Sequence, residues 1–139
     1  LMRIRRTLAL LLLACAPVAS SEDESYDIVV YGGTAAGATA AIAAASEGAS
    51  TVLIEPGNHI GGMVSGGLGR TDIGNQAVIG GMARHYFQRV GKHYGRDLEW
   101  YVEPHVAEKL FREWLAEAGV VLRFRQRIDT VTKEGARIT

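Results

Sequence analysis

The glycines that follow the first apolar stretch of the chain could bind a phosphate group. Gly32 and Gly37 hold the first and third positions of the pattern G-x-G-x-x-G, while Thr34 replaces the second glycine and Gly33 precedes it. These positions allow a tight turn, close approach of the backbone to a pyrophosphate, and close packing of helix on strand. The Thr34 hydroxyl could donate to a phosphate oxygen, and the helix dipole favours an anion there. The motif alone leaves a cofactor loop and a plain tight turn equally open.

An acidic residue at the end of the next apolar stretch favours the nucleotide interpretation. Glu55 follows the loop by about 20 residues, where a carboxylate can accept hydrogen bonds from the hydroxyls of a ribose. Because this carboxylate would repel a 2′-phosphate, the pattern disfavours NADP.

The elements that position these residues follow from the periodicity of the apolar side chains. The residues between the two strands are small, which predicts a helix built for close packing. The order strand, helix, strand is a βαβ unit. The predicted strands are 27–31, 51–55 and 120–128, the helices are 35–47, 79–90 and 104–118, and a hairpin covers 130–139.

Two later helices have apolar stripes at helical spacing that predict their buried faces. The stripe of the earlier helix comprises Ile79, Met82, Ala83, Tyr86 and Val90. The stripe of the later helix comprises Ala107, Leu110, Phe111, Trp114, Leu115 and Ala118.

A second glycine-rich segment helps to decide whether the cofactor is a flavin or a nicotinamide dinucleotide. Residues 56–81 contain glycine pairs at 61–62, 66–67 and 80–81. A connection of this length in a compact domain is usually functional or disordered. An NAD domain needs no such segment, whereas an extended FAD molecule needs backbone beside its pyrophosphate, ribityl chain and ring. The segment therefore favours FAD.

Four stretches of the sequence carry a family resemblance: "YDIVVYGGTAAG", "VLIEPGNHIGGMVSGGLGRTD", "IGGMARHYFQRVGKHYG" and "EPHVAEKLFREWLAEAGV". Together they resemble the amino-terminal part of the FAD-dependent oxidoreductase family, within the glutathione-reductase-like flavoproteins, and its secreted bacterial members. The resemblance covers residues 26–139. It implies an α/β, Rossmann-like FAD/NAD(P)-binding fold, with a parallel sheet, helices on one face and a small antiparallel β element on the other.

The resemblance also implies which residues contact the cofactor. The pyrophosphate would contact Gly32, Gly33, Thr34 and Gly37, and the adenosine ribose would contact Glu55. The phosphate and ribityl region would contact Gly61, Gly62 and Met63, and the flavin ring would lie nearer Ser65, Gly66 and Gly67. Adenine would contact Ile128, at the end of the third strand.

The mode of flavin attachment depends on the residue just before the glycine pair at 61–62. Some relatives bind flavin covalently through a histidine there, but Ile60 occupies the aligned position, and His59 is interpreted as a loop histidine. We therefore expect noncovalent FAD. The single cysteine, Cys15, cannot build a cysteine-bound iron–sulfur cluster, and no metal site is predicted.

The resemblance implies redox chemistry on a small organic substrate by hydride transfer through flavin N5, with an unknown electron acceptor or donor. The triplet Arg70, Thr71 and Asp72 could face the active site or form a structural turn, and no catalytic acid or base is assigned. A secreted nucleotide-binding module without redox turnover and an NAD-linked dehydrogenase stay open as alternatives. The chain carries 15 basic and 15 acidic residues, which supplies no field to attract nucleic acid.

The first 20 residues have the layout of an export signal. Arginines precede an apolar run that is too short to span a bilayer, and small residues follow. The pair Arg5 and Arg6 also resembles a twin-arginine signal. In a competing interpretation, residues 12–15 form a lipoprotein box and Cys15 carries a lipid anchor. We expect a periplasmic or extracellular protein whose mature chain has no transmembrane segment and starts near Ser21.

The remaining chain divides into an acidic, polar linker at 21–25 and the amino-terminal part of an FAD-binding domain at 26–139. A flavoprotein of this group needs a substrate domain and a later return of the chain to the FAD domain. Both are absent from these residues, so the sequence predicts a fragment that is inactive alone.

Overall fold

The computed structural model describes residues 24–138 as an α/β arrangement around a small parallel sheet. The three strands β1 (Ile28–Tyr31), β2 (Thr51–Glu55) and β3 (Val121–Phe124) pair in that order, all in parallel. Both the export signal predicted at 1–20, with Cys15, and the start of the polar linker lie outside the described residues.

Helices follow the first two strands and a hairpin follows the third. The helix α1 (Ala35–Ser46) packs on β1 and β2. The helix α3 (Pro104–Glu117) packs on β3 and on α1, and α2 (Gly81–His93) packs on α3. Both crossovers step along the sheet in the same direction, so right-handed connections place α1 and α3 on one face. No helix of residues 24–138 is long and apolar enough to cross a membrane. The hairpin consists of β4 (Lys133–Glu134) and β5 (Arg137–Ile138), and 3₁₀ turns lie at Gly62–Val64 and Gln76–Val78.

The core lies between the sheet and the helices. Small side chains let α1 approach the strands closely, because Ala38 and Ala41 are fully buried. The predicted stripe of α3 is buried as expected, apart from Ala118 at its end, which is partly buried. Phe111 of this stripe is 1% exposed and stacks on Tyr86 of α2 with ring centroids 4.4 Å apart.

The position of α2 differs from the prediction. The helix starts at Gly81 and runs to His93, about one turn beyond the expected end. Ala83 is exposed, and Phe87 is buried in its place. The reason is tertiary packing, because the Phe87 ring lies 4.6 Å from that of Trp100, a residue outside the helical pattern.

The third strand is also shorter than predicted. It ends at Phe124 because Arg125 turns the backbone to a φ of 57°. The Arg125 amide then donates to the carbonyl of Gly57, 3.1 Å away. Ile128, expected at the end of this strand, therefore lies in irregular chain beyond it.

Candidate cofactor site

The first glycine loop joins β1 to α1 through a tight turn. Gly32 has a φ of 104°, which favours glycine, and Thr34 is the N-cap of α1. The Thr34 Oγ1 accepts a hydrogen bond from the amide of Gly37 at 3.0 Å. A Cβ on Gly37 would lie 2.0 Å from the Gly32 carbonyl oxygen. The third glycine is thus required because the start of α1 passes close to the end of β1, and its place in the motif predicts close packing of helix on strand.

The carboxylate of Glu55 closes back onto this loop from the end of β2. Its Oε2 accepts a hydrogen bond from the amide of Gly33 at 2.6 Å, and its Oε1 accepts one from the amide of Gly57 at 2.6 Å. A Cβ on Gly33 would lie 3.0 Å from this Oε2 and 3.2 Å from Ile60. Gly33 therefore gives the carboxylate room to reach the loop, a role that the glycine motif does not reveal.

The second glycine pair is bonded to the first loop. The Gly61 amide donates to the Gly33 carbonyl at 2.7 Å. A Cβ on Gly62 would lie 3.3 Å from the Cα of Thr34, and one on Gly61 would meet Ser65 and Phe111 at 2.6 and 2.9 Å. Two segments about 30 residues apart in sequence thus form one backbone unit over the aromatic core.

A cleft of about 560 Å³ opens beside this unit. Of the predicted contact residues, seven line it: Gly33, Thr34, Glu55, Gly62, Ser65, Gly66 and Gly67. Gly32, Gly37 and Gly61 instead shape the supporting backbone, and the Met63 side chain is 76% exposed.

The hydroxyl of Ser65 stabilises the second glycine segment. It donates to the carbonyl of Ile60 at 2.5 Å, across the 3₁₀ turn. A Cβ on Gly66 would lie 2.8 Å from the carbonyl oxygen of Gly62, so this part of the wall requires a residue without a side chain. The segment is therefore a compact turn, although its sequence predicts only a long connection.

A histidine that sequence reasoning treats as a loop residue also lines the cleft. The His59 Nδ1 lies 2.8 Å from Oε2 of Glu108 on α3. The other carboxylate oxygen of Glu108 accepts a hydrogen bond from the Arg112 Nε at 2.9 Å. Nothing local in the sequence indicates this pairing, because 49 residues separate His59 from Glu108.

The Glu108 carboxyl has opposing influences on its pKa. Partial burial acts to raise the pKa, but hydrogen bonds from His59 and Arg112 outweigh burial and hold it below the ordinary glutamate value. Arg112 also donates to the Asn58 carbonyl at 3.0 Å and stacks over Phe124. The cluster ties the wall of the cleft to α3 and β3.

Two groups of predicted candidates lie away from the cleft. Ile128 is 40% exposed beyond the end of β3. The backbones of Arg70 and Tyr101 form a β-bridge, and the Arg70 guanidinium lies 5.2 Å from the centroid of the Tyr101 ring. Tyr101 lines a neighbouring cavity of about 470 Å³, which meets the cleft at Gly67 and Pro104.

Curated proteins of known activity match short parts of the chain. A vinyl phenol reductase from Lactiplantibacillus plantarum is 55% identical over 42 residues, which are 30% of this chain and 8% of that protein. A 3-oxosteroid 1-dehydrogenase from Mycolicibacterium smegmatis is 41% identical over 56 residues, which are 40% of this chain and 10% of that protein. The chain thus matches a tenth or less of these relatives' length.

A solved structure and a family model cover most of the chain. The structure of a geranylgeranyl bacteriochlorophyll reductase-like protein from Thermoplasma acidophilum superposes with a TM-score of 0.51 at 22% identity, over 81% of this chain and 33% of that one. This likeness confirms the Rossmann-like fold. The model of the FAD dependent oxidoreductases matches residues 27–139. This chain is therefore a member of the FAD dependent oxidoreductase family, whose cofactor is FAD.

Proposed function

We propose that the chain supplies the dinucleotide-binding part of a flavoenzyme that oxidises or reduces a small organic substrate. The observation that carries this proposal is the cleft in which the Glu55 carboxylate and the start of α1 meet. Bound FAD would supply hydride transfer at flavin N5, and an unidentified donor or acceptor would complete the cycle. The names of the two curated relatives, a reductase and a dehydrogenase, support redox chemistry.

The residues of the cleft fit a dinucleotide. Each Glu55 oxygen accepts one backbone hydrogen bond and has a second lone pair for a ribose hydroxyl. The start of α1 presents amides and a positive dipole end to a diphosphate, and Thr34 caps it while keeping its hydroxyl hydrogen for a phosphate oxygen. Side chains at Gly33 or Gly62 would crowd this wall.

We assign the parts of FAD along the cleft in the order of the chain segments. Glu55 would bind the adenosine ribose, the loop from Gly32 to Gly37 the pyrophosphate, and the segment 61–63 the phosphate and ribityl region. The segment 65–67 would lie nearer the flavin ring. Backbone contact between Ile128 and adenine stays a prediction, because its side chain does not line the cleft.

FAD would be held noncovalently. The position aligned with the histidine that carries flavin in some relatives is Ile60, whose side chain is aliphatic and 0% exposed. It therefore offers no nucleophile to the cofactor.

The visible absorption spectrum of the full chain, meaning the complete natural protein, tests this function after purification. We expect a yellow protein with one flavin per chain and flavin reduction by a small organic substrate or an artificial donor. A colourless protein that binds NAD would favour the nicotinamide alternative. Bound flavin that is never reduced or reoxidised would favour a binding module without turnover.

Export of the protein is a separate proposal, which rests on the arginines and apolar run before Ser21. Mass spectrometry of the mature amino terminus in the native host tests it. A start near Ser21 would support the secretory signal, and a lipid mass on Cys15 would support the lipoprotein alternative. An intact leader on a cytoplasmic protein would contradict export.

A further inference from the structure

The charge of the cleft poses a problem for a dinucleotide ligand. FAD carries an anionic diphosphate, and the cleft wall already contains the carboxylates of Glu55 and Glu108. Within residues 24–138, the side chains that line this cleft include no lysine or arginine. The side chains of this wall that can become cationic are His59 and His105.

The two histidines differ in their surroundings. His105 is the second residue of α3, directly after Pro104, where the positive end of the helix dipole disfavours a cation. His59 instead lies with its Nδ1 2.8 Å from the Glu108 carboxylate, and this contact holds the ring beside the cleft. His59 is therefore the better placed of the two histidines to meet an anion.

The contact with Glu108 also fixes which edge of the His59 ring is available. With Nδ1 at 2.8 Å from the carboxylate, Nδ1 carries a hydrogen and donates it to Glu108. The His59 side chain is 82% exposed, so its Nε2 edge is free to meet a ligand in the cleft. Glu108 is in turn held by Arg112. The ring is oriented before any ligand arrives.

We propose that His59, oriented by Glu108, binds the diphosphate of FAD as an imidazolium ion, whose second ring hydrogen, on Nε2, donates to a phosphate oxygen. This inference rests on the proposed function, and it extends the site to a residue and a helix beyond the glycine segments. A charge-assisted hydrogen bond of this kind strengthens binding by about tenfold or more. Glu108 acts through His59 and is a positioning residue.

Binding of ADP and of adenosine to the flavin-free full chain tests the proposal by calorimetry. We expect His59→Ala to weaken ADP and FAD binding about tenfold while adenosine binding is unchanged, because adenosine lacks the diphosphate. His59→Lys should recover most of the ADP affinity by restoring a cation, and neutral His59→Gln should not. Glu108→Gln should weaken ADP binding less than His59→Ala does.

Two control variants separate this inference from the proposed function and from general damage. His85→Ala changes an exposed histidine of α2 outside the cleft and should bind ADP as the wild type does. Glu55→Ala should weaken adenosine and ADP alike. Unchanged ADP affinity in His59→Ala, or an equal loss for adenosine, would overturn the role of His59 while Glu55 could still support the cofactor site. A wild-type chain that binds neither FAD nor ADP would overturn both.

Discussion

The contact between Glu55 and Gly33 links the two halves of the nucleotide motif at the residue scale. The glycine pattern predicts the turn, and the acidic position predicts a ribose partner, but neither predicts that they touch. The structure joins them through the Gly33 amide at 2.6 Å. Gly33, one residue before Thr34, is the glycine that the Glu55 carboxylate approaches closely.

Replacing Glu55 is expected to weaken the cofactor site. Glu55→Ala removes the acceptor for the ribose and leaves the amides of Gly33 and Gly57 without their present partner. The loss of FAD binding energy should be roughly 1–3 kcal/mol. Quenching of flavin fluorescence in a titration of the flavin-free full chain measures it, with Glu134→Ala in the exposed hairpin as the control. Equal affinities in both variants would rule out the assignment of Glu55.

A methyl group at Gly37 is expected to be far more harmful than its size suggests. Its Cβ would lie 2.0 Å from the Gly32 carbonyl oxygen, so the turn must open or α1 must move. We expect Gly37→Ala to lower the free energy of unfolding by roughly 3 kcal/mol or more. Gly80→Ala, where a Cβ meets no atom within 4 Å, should change it little. Chemical denaturation of both variants gives the comparison, and equal stabilities would refute the turn geometry.

At the scale of elements, the sequence predicts the βαβ unit well from two short apolar runs and the small residues between them. It also predicts α3 well, because burial of one face dictates the apolar stripe of that helix. It predicts α2 less well, because Phe87 is drawn inward by Trp100, which lies outside the helical pattern. It places the end of β3 too late, because basic residues recur at every second position up to Arg127, past the point where Arg125 turns the backbone. The pairing of His59 with Glu108 is invisible in sequence because it joins distant elements.

The packing of α2 on α3 is expected to support the cleft from below. Phe111 stacks on Tyr86, and its ring would lie 2.9 Å from a Cβ on Gly61. Phe111→Ala should cost about 3–5 kcal/mol of stability through the cavity that it leaves. It should also weaken FAD binding by loosening the second glycine segment. Thermal unfolding and FAD titration measure the two effects, and Val131→Ala, at a 57% exposed position, serves as the control.

Acidification is expected to weaken the contacts by which Glu108 joins the glycine wall of the cleft to α3. The folded-state pKa of Glu108 is below its ordinary value of 4.5, so its ion pairs stabilise the protein fully above that pH. The contribution is lost as the pH falls through the lower, folded-state pKa. Denaturation at a series of acidic pH values should show a shallower decline for Glu108→Gln than for the wild type. Parallel curves would show that Glu108 contributes nothing to this dependence.

At the scale of the whole molecule, the described residues provide a cleft wall and an open sheet. Within residues 24–138, β1 is an edge strand, and Val29 and Tyr31 on it are each 49% exposed. Such an edge is a template for pairing with another chain. The cleft has one wall of glycine backbone and one wall from α3. A cleft with these two walls suits the adenosine end of FAD better than the flavin ring.

Residues 21–139 expressed alone are therefore expected to aggregate, to bind FAD weakly and to show no turnover. The physical reasons are the exposed apolar edge of β1 and the open cleft. Light scattering, FAD titration and an assay with an artificial electron acceptor check the three parts. A monodisperse preparation with stoichiometric flavin and steady turnover would contradict the expectation.

A crystal structure of the full chain with FAD tests the central claim most directly, namely that this cleft is the cofactor site. The account predicts ribose hydroxyls in hydrogen-bond contact with Glu55, the diphosphate between the start of α1 and His59, and no covalent bond to the flavin. FAD bound elsewhere in the protein, with Glu55 facing solvent or protein alone, would contradict it.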